Sequence, residues 1–296
     1  TAVSRSADAT STAGQAVSLS HVNFIYTGLA NSTFTIGKQA FNTPFTDPGD
    51  PIDGIDTATG ITGVYKAGAA TLIAAYYATN STAVSDNDVS YLAAMVKAGP
   101  VKIDAHYIDL GNGQGGNAFE DGAAFIKVGV SGKAGPVKLA ANYASLDSNT
   151  SGMETQKTWN ISASGKVGAF GLSIKHAQND EDGGAVTLEH DAAMDFQGWA
   201  IAINKISDAQ YDNKATIAAI SFPLTDSMKL KIYGGVNDYE EADGTEVEED
   251  EIVAQFSHSL SKNFAYYIRF GQFNKDTDGG TDDSYNRGRI YGAYKF

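Results

Sequence analysis

The chain has 296 residues, 42% of them apolar, and a net charge of −14, with no cysteine and with 32 glycines and 15 tyrosines beside only 6 prolines and 2 tryptophans. That charge argues against a nucleic-acid partner, whose phosphates need a basic surface, and the lack of cysteine excludes a disulfide scaffold and a thiolate metal site. No apolar run approaches the roughly 20 residues of a membrane-spanning helix, which leaves a crossing by strands open, because a barrel strand needs only one apolar side.

The chain starts Thr1-Ala-Val-Ser-Arg5, with no charged start followed by an apolar core, so a signal peptide is expected to have been removed or to lie upstream. From there, alternating segments of about ten residues recur. They predict strands over 16–27, 31–39, 57–67, 69–79, 88–97, 100–110, 121–131, 136–145, 156–165, 168–178, 213–222, 227–238, 250–259, 263–273 and 285–296. Ala67-Gly68, Ala98-Gly-Pro100, Lys133-Ala-Gly-Pro136, Lys166-Val-Gly168, Leu224-Thr-Asp-Ser227 and Ser259-Leu-Ser-Lys-Asn263 read as short turns, and the remaining connections are long and polar. Short turns at one end and long loops at the other are the asymmetry of an outer-membrane barrel. Hairpins also resemble one another, as in Val96-Lys-Ala-Gly-Pro-Val-Lys102 beside Gly132-Lys-Ala-Gly-Pro-Val-Lys138.

The stretch 184–206 is ambiguous, because Phe196-Gln-Gly-Trp-Ala-Ile-Ala-Ile-Asn204 could pair with Ala185-Val-Thr-Leu-Glu-His190 as two strands or fold as an outer loop. Acids gather in 179–184, 240–251 and 276–283, which read as solvated loops. The last strand, ending Ile290-Tyr-Gly-Ala-Tyr-Lys-Phe296, puts Ile290, Tyr294 and Phe296 on one face and Arg289, Tyr291 and Lys295 on the other. The expected fold is therefore all-β, one domain over 1–296: a transmembrane antiparallel β-barrel with long acidic extracellular loops. Counted backward from Phe296, the strand at 16–27 runs from outside toward the periplasm. A complete bacterial barrel normally starts inside and has an even strand number, so an odd number of strands is expected to be missing.

Thr35-Ile-Gly-Lys-Gln-Ala-Phe-Asn-Thr-Pro-Phe-Thr-Asp47, with Ile52-Asp-Gly-Ile-Asp56, Thr59-Gly-Ile-Thr-Gly-Val64 and the closing Tyr294-Lys295-Phe296, resembles the major outer membrane protein porins of Campylobacter and related bacteria. The resemblance implies an eighteen-stranded homotrimeric porin, with three strands before the region where this chain begins. It also implies that 40–56 folds inward as a constriction loop. About 16–18 strands are thus expected in the complete protein.

A porin acts by the width and the wall charge of its narrowest point, and needs no catalytic residue. Asp47, Asp50, Asp53 and Asp56 recur every three residues among Pro48, Gly49, Pro51 and Gly54, a loop composition. They would crowd the pore if the loop turns inward, and be a solvated acidic loop if it does not. Bases are expected opposite them. Parity puts Arg269, Arg287 and Arg289, three of the four arginines, on the lumen side with Lys229, Lys231, Tyr233 and Tyr267. Phe264, Tyr266, Ile268 and Phe270 then face lipid. Lys102, His106, Lys138 and Lys175 are further lumen positions, the lysines lining a vestibule. The arginines serve equally well as partners that hold a loop in place.

No cofactor is required, although calcium is a candidate at Asp47, Asp50 and Asp53, and again at 276–283, because it takes several carboxylate and carbonyl oxygens. The EF-hand pattern is absent. The five histidines are scattered, and no His-Glu-x-x-His, P-loop or Gly-x-Ser-x-Gly element occurs, so an enzyme is not expected. The sequence thus reads as an outer-membrane porin for passive diffusion of ions and small hydrophilic solutes, cation-preferring on net charge, with lipid and lipopolysaccharide as its surroundings. The other readings are a surface structural or adhesion barrel with a closed lumen, and a soluble β-sandwich.

Overall fold

The computed structural model describes residues 21–46, 57–80, 88–111, 122–149, 154–181, 186, 188 and 211–295. The elements among them are strands: β1 (Val22–Tyr26), β2 (Ser32–Ala40), β3 (Thr57–Ala67), β4 (Ala70–Asn80), β5 (Val89–Ala98), β6 (Val101–Leu110), β7 (Ala123–Ala134) and β8 (Val137–Ser148). They continue as β9 (Gln156–Val167), β10 (Phe170–Asn179), β11 (Tyr211–Pro223), β12 (Met228–Glu240), β13 (Glu246–Ser259), β14 (Phe264–Thr277) and β15 (Asp283–Tyr294). They form one sheet in which each strand pairs with the next in sequence, every pair antiparallel. Among the described residues β1 and β15 pair only with β2 and β14. These two edge strands run in the same direction, so an antiparallel ring through both needs an odd number of further strands.

The short turns follow from glycine. In the two-residue connections after β3, β5, β7 and β9, Gly68, Gly99, Gly135 and Gly168 hold φ near +60° (60°, 58°, 60° and 59°), the first central position of the turns that match strand twist. Pro100 and Pro136 follow two of these glycines, at the position whose negative φ proline supplies. At the opposite end the connections are long, apart from those around Gly244 and Gly279.

The two faces differ as the alternation predicts. Along one face Ile61, Leu72, Leu92, Ile103, Ile126, Ile161, Ile174, Ile252, Ile268 and Ile290 are all exposed, Ile290 at 77%. Each such side chain moved from water to hydrocarbon contributes about 1.5–3 kcal/mol, so this is a wall for lipid. Among the described residues no helix is long and apolar enough to cross a membrane. Phe264, Tyr266, Ile268 and Phe270 stand on this face, aligned with Tyr294, Gly292, Ile290 and Gly288.

On the opposite, inner face Ala177, Ala215, Ile217, Tyr233 and Val253 are buried, and a larger buried cluster lies toward the long-loop end of β3 to β8. There Phe41 and Phe45, each 0% exposed, meet Tyr77, Val89, Ile108, Phe125 and Leu146. Phe41 lies edge-on to Tyr77 with ring centroids 5.2 Å apart, and Phe45 lies 5.3 Å from Phe125. The chain leaving β2 therefore turns in over the inner face. Val186 and Leu188 belong to the same cluster; the rest of the ambiguous stretch 184–206 lies outside the described residues.

Candidate functional site

The inner wall takes its chemistry from the ladder register. Ser221 pairs with Lys231, Lys231 with Gln255, Gln255 with Arg269 and Arg269 with Arg289. Because directly paired residues share a face, Lys231, Arg269 and Arg289 form one row across β12 to β15. Arg287 stands opposite Gly271 one step toward the long-loop end, and Lys229 opposite Ser257 one step toward the turn end. All five bases expected on the lumen side from the sequence are thus on the inner face, together with Tyr233 and Tyr267.

Aromatic rings hold these cations. Lys231 Nζ lies 4.7 Å from the centroid of Tyr233, the Arg269 guanidinium 5.5 Å from that of Tyr267, and the Arg287 guanidinium 4.8 Å from that of Tyr285. Arg269 Nη1 also donates to the Tyr233 hydroxyl at 3.4 Å, and Tyr267 stacks on Tyr291 at 5.2 Å. Such contacts fix a long side chain without neutralising it.

A second polar group sits across β5, β6 and β7. The Lys127 ammonium donates to the Asp104 carboxylate, both nearly buried. His106 Nε2 lies 3.1 Å from the same carboxylate, to which it donates, and its Nδ1 is hydrogen-bonded with the Tyr91 hydroxyl at 2.8 Å. Gly129 makes room for it: a Cβ there would stand 2.5 Å from Lys127 Nζ and 2.6 Å from Asn142 Oδ1. Asn142 Nδ2 donates to Asn160 Oδ1 at 2.9 Å and continues the chain of contacts onto β9. The sequence placed His106 on this face but missed Lys127 and Asp104, because only the register brings residues from neighbouring strands together.

The acidic side is less complete. Asp47, Asp50, Asp53 and Asp56, and with them the proposed calcium ligands, lie outside the described residues. Of 40–56, Ala40 to Thr46 and its packing on the inner face are described. Thr46 Oγ1 donates to the Phe41 carbonyl and Thr43 N–H donates back to Thr46 Oγ1 at 3.0 Å, which closes this stretch into a compact bend. In the second calcium candidate, 276–283, no metal-holding group forms: among the described residues no three or more His, Asp or Glu side chains converge.

One expectation is corrected. The acids of 240–251 do not all lie in a solvated loop, because Glu246–Ser259 is strand β13. Glu249 and Glu251 pair with Asn237 and Gly235 and so face inward, with Glu251 3% exposed. Asn237 Nδ2 and the Tyr239 hydroxyl each donate to Glu249 at 3.3 Å. The run of charge hid the start of the strand, because Val247 is its one apolar residue before Ile252. His176 is on the apolar face, 5.2 Å from Trp159 and bonded to Thr216 at 2.7 Å.

The register also separates the charges. On the inner face it aligns the acids Asp104, Glu249 and Glu251, with Asp283 at the loop end, whereas Asp109, Asp147, Asp238, Glu248, Asp250 and Asp276 fall on the outer face toward the long-loop end. Lys102, Lys138 and Lys175 are on the inner face near the short turns, as expected.

Residues 34–278 match a protein family described as Gram-negative porin. No curated protein sequence matches the chain. Among solved structures, the fold is similar to Pseudomonas aeruginosa OpdQ, with a TM-score of 0.67 and 16% identity over 89% of this chain and 78% of that one. It is similar to Pseudomonas aeruginosa OccK10 (OpdN), TM-score 0.69 and 12% identity, over 90% and 81% of the two chains. Acinetobacter baumannii OccAB4 follows with 0.65 and 11%, over 90% and 73%.

Proposed function

The chain belongs to the Gram-negative porin family, and so works in the bacterial outer membrane as a channel for small solutes and not as an enzyme; from that premise we propose that its inner wall, more than its net charge, sets which ions pass. The supporting observation is the single row Lys231, Arg269 and Arg289. A fixed charge beside a water-filled path acts on an ion within about a Debye length, roughly 8–10 Å at physiological salt. Among the described residues, Asp109, Asp147, Asp238, Glu248, Asp250 and Asp276, which add to the net charge of −14, stand on the outer face. The wall therefore favours anions, contrary to the cation preference that net charge suggests.

The segment after β2 narrows the path in this reading. Phe41 and Phe45 anchor it to the inner face, and Asp47, Asp50, Asp53 and Asp56 then oppose the arginines across the lumen. Acids on one side and bases on the other orient dipolar solutes as they pass, and their spacing sets the size limit. Homotrimer formation rests on the narrower resemblance to the major outer membrane protein porins, calcium at Asp47, Asp50 and Asp53 on the oxygens those carboxylates offer, and contact with lipopolysaccharide on the outer-membrane location.

The test is the reversal potential of single channels in a KCl gradient. An anion-selective sign that moves toward cations in Arg269→Gln/Arg289→Gln supports the wall. A cation-selective sign that is unchanged in that variant, but lost when Asp47, Asp50 and Asp53 become Asn, assigns the selectivity to the loop instead.

A further inference from the structure

At the short-turn end the inner face carries a second basic group, apart from the arginine row. Lys97 pairs directly with Lys102 in β5–β6, and Lys133 directly with Lys138 in β7–β8. Opposed like charges on one face destabilise a sheet unless something sits between them. Lys102 in turn faces Ser131, and Lys138 faces Ser164, so the two lysine pairs occupy adjoining rows with hydroxyls beside them. Ala140 and Ser162 complete the floor with small side chains, leaving a cleft of about 570 Å³ bordered by all four lysines. Among the described residues no acid lines it; Asp104, 3.9 Å from Lys102, already binds Lys127 and His106.

We propose that this cleft binds a dianionic oxyanion, such as inorganic phosphate or the phosphate group of a small phosphorylated solute, at the turn-end mouth of the channel. A monovalent halide relieves one lysine at a time. A phosphate carries about two charges at neutral pH or above and three acceptor oxygens, which lets it bridge both members of a pair and accept from a serine hydroxyl. Its place below the arginine row makes it a station between the wall and the periplasm. The inference rests on the porin reading for its role in transport, but the binding itself does not.

Two measurements separate these. In planar bilayers with KCl on both sides, inorganic phosphate at pH 8 is expected to reduce the open-channel current. Lys133→Gln/Lys138→Gln should raise the half-effective concentration by about tenfold or more, while Lys133→Arg/Lys138→Arg retains the response; Lys157→Gln, on the outer face, should leave it unchanged. Independently, detergent-solubilised protein is expected to broaden the 31P line of phosphate, and to lose this in the double Gln variant. Persistent channel steps with no phosphate effect, or an effect equal in wild type and double Gln variant, overturn the site. Lysine-dependent line broadening from folded protein that gives no channel steps upholds the site and overturns the porin reading.

Discussion

The backbone N–H of Leu188 donates to the carbonyl of Phe45 at 2.9 Å, tying the long connection after β10 to the one after β2 on the inner face. Both residues are buried in the same cluster. Two loops far apart in sequence thus support each other where the path through the sheet is narrowest in this reading.

Phe45→Ala removes the ring that packs on Phe125. Losing a buried phenylalanine costs about 3–5 kcal/mol, here taken from the attachment of an inner segment and not from the strand ladder. The expected result is a larger and noisier single-channel conductance with strand content by circular dichroism unchanged. A conductance equal to wild type would show that this segment does not narrow the path.

Lys127 and Asp104 form a mutually dependent pair. Lys127→Met leaves a nearly buried carboxylate with His106 at 3.1 Å and Lys102 at 3.9 Å, and breaking a buried pair by removing one member costs about 3–5 kcal/mol. Adding Asp104→Asn should recover most of that loss, since no net charge is then stranded. Thermal unfolding in detergent would read the cycle, and additive losses would refute the coupling.

Neighbouring residues on β10 should respond oppositely to charge. Ile174 faces outward and Ser173 inward, aligned with Ala163 and Ser164 respectively. A lysine facing lipid near the midplane costs about 2–4 kcal/mol, whereas one facing water costs little. Refolding into vesicles should therefore be impaired by Ile174→Lys and near normal for Ser173→Lys; equal impairment would mean that the faces are assigned wrongly.

Two loop carboxylates should titrate apart. Asp243, in the turn after β12, has its charged form favoured by hydrogen bonds from Thr245, whose N–H lies 3.0 Å away, and its pKa is lowered. Its turn bonds are present above the ordinary aspartate range and are lost as the pH falls through that lowered value. Asp282, after β14, shares a hydrogen bond with Asp276 and has its pKa raised, first by that bond and then by the Asp276 charge. That contact is intact at low pH and is lost as the pH rises through the raised value. Carboxyl-carbon NMR should find Asp282 titrating at higher pH than Asp243, and the reverse order would sink both assignments.

Much of this was legible from local pattern. Alternation with period two, broken by Gly-Ala and Gly-Pro turns, determined where most strands lie and which way Arg269, Arg289, Ile268 and Phe270 point, because side-chain parity is a property of the extended backbone itself. Even the shared direction of the first and last strands followed from counting. The charged start of β13 escaped, since Glu246 to Glu251 carries almost no apolar signal. What only the tertiary structure decided is which inner residues meet. Asp104 with Lys127, Lys97 with Lys102 and Arg269 with Arg289 depend on how far each strand is offset from its neighbour, and that offset is set by pairing across the whole ladder. The docking of Phe41 and Phe45 is of the same kind: their burial needs a surface built by strands whose own sequences carry no record of what will cover it.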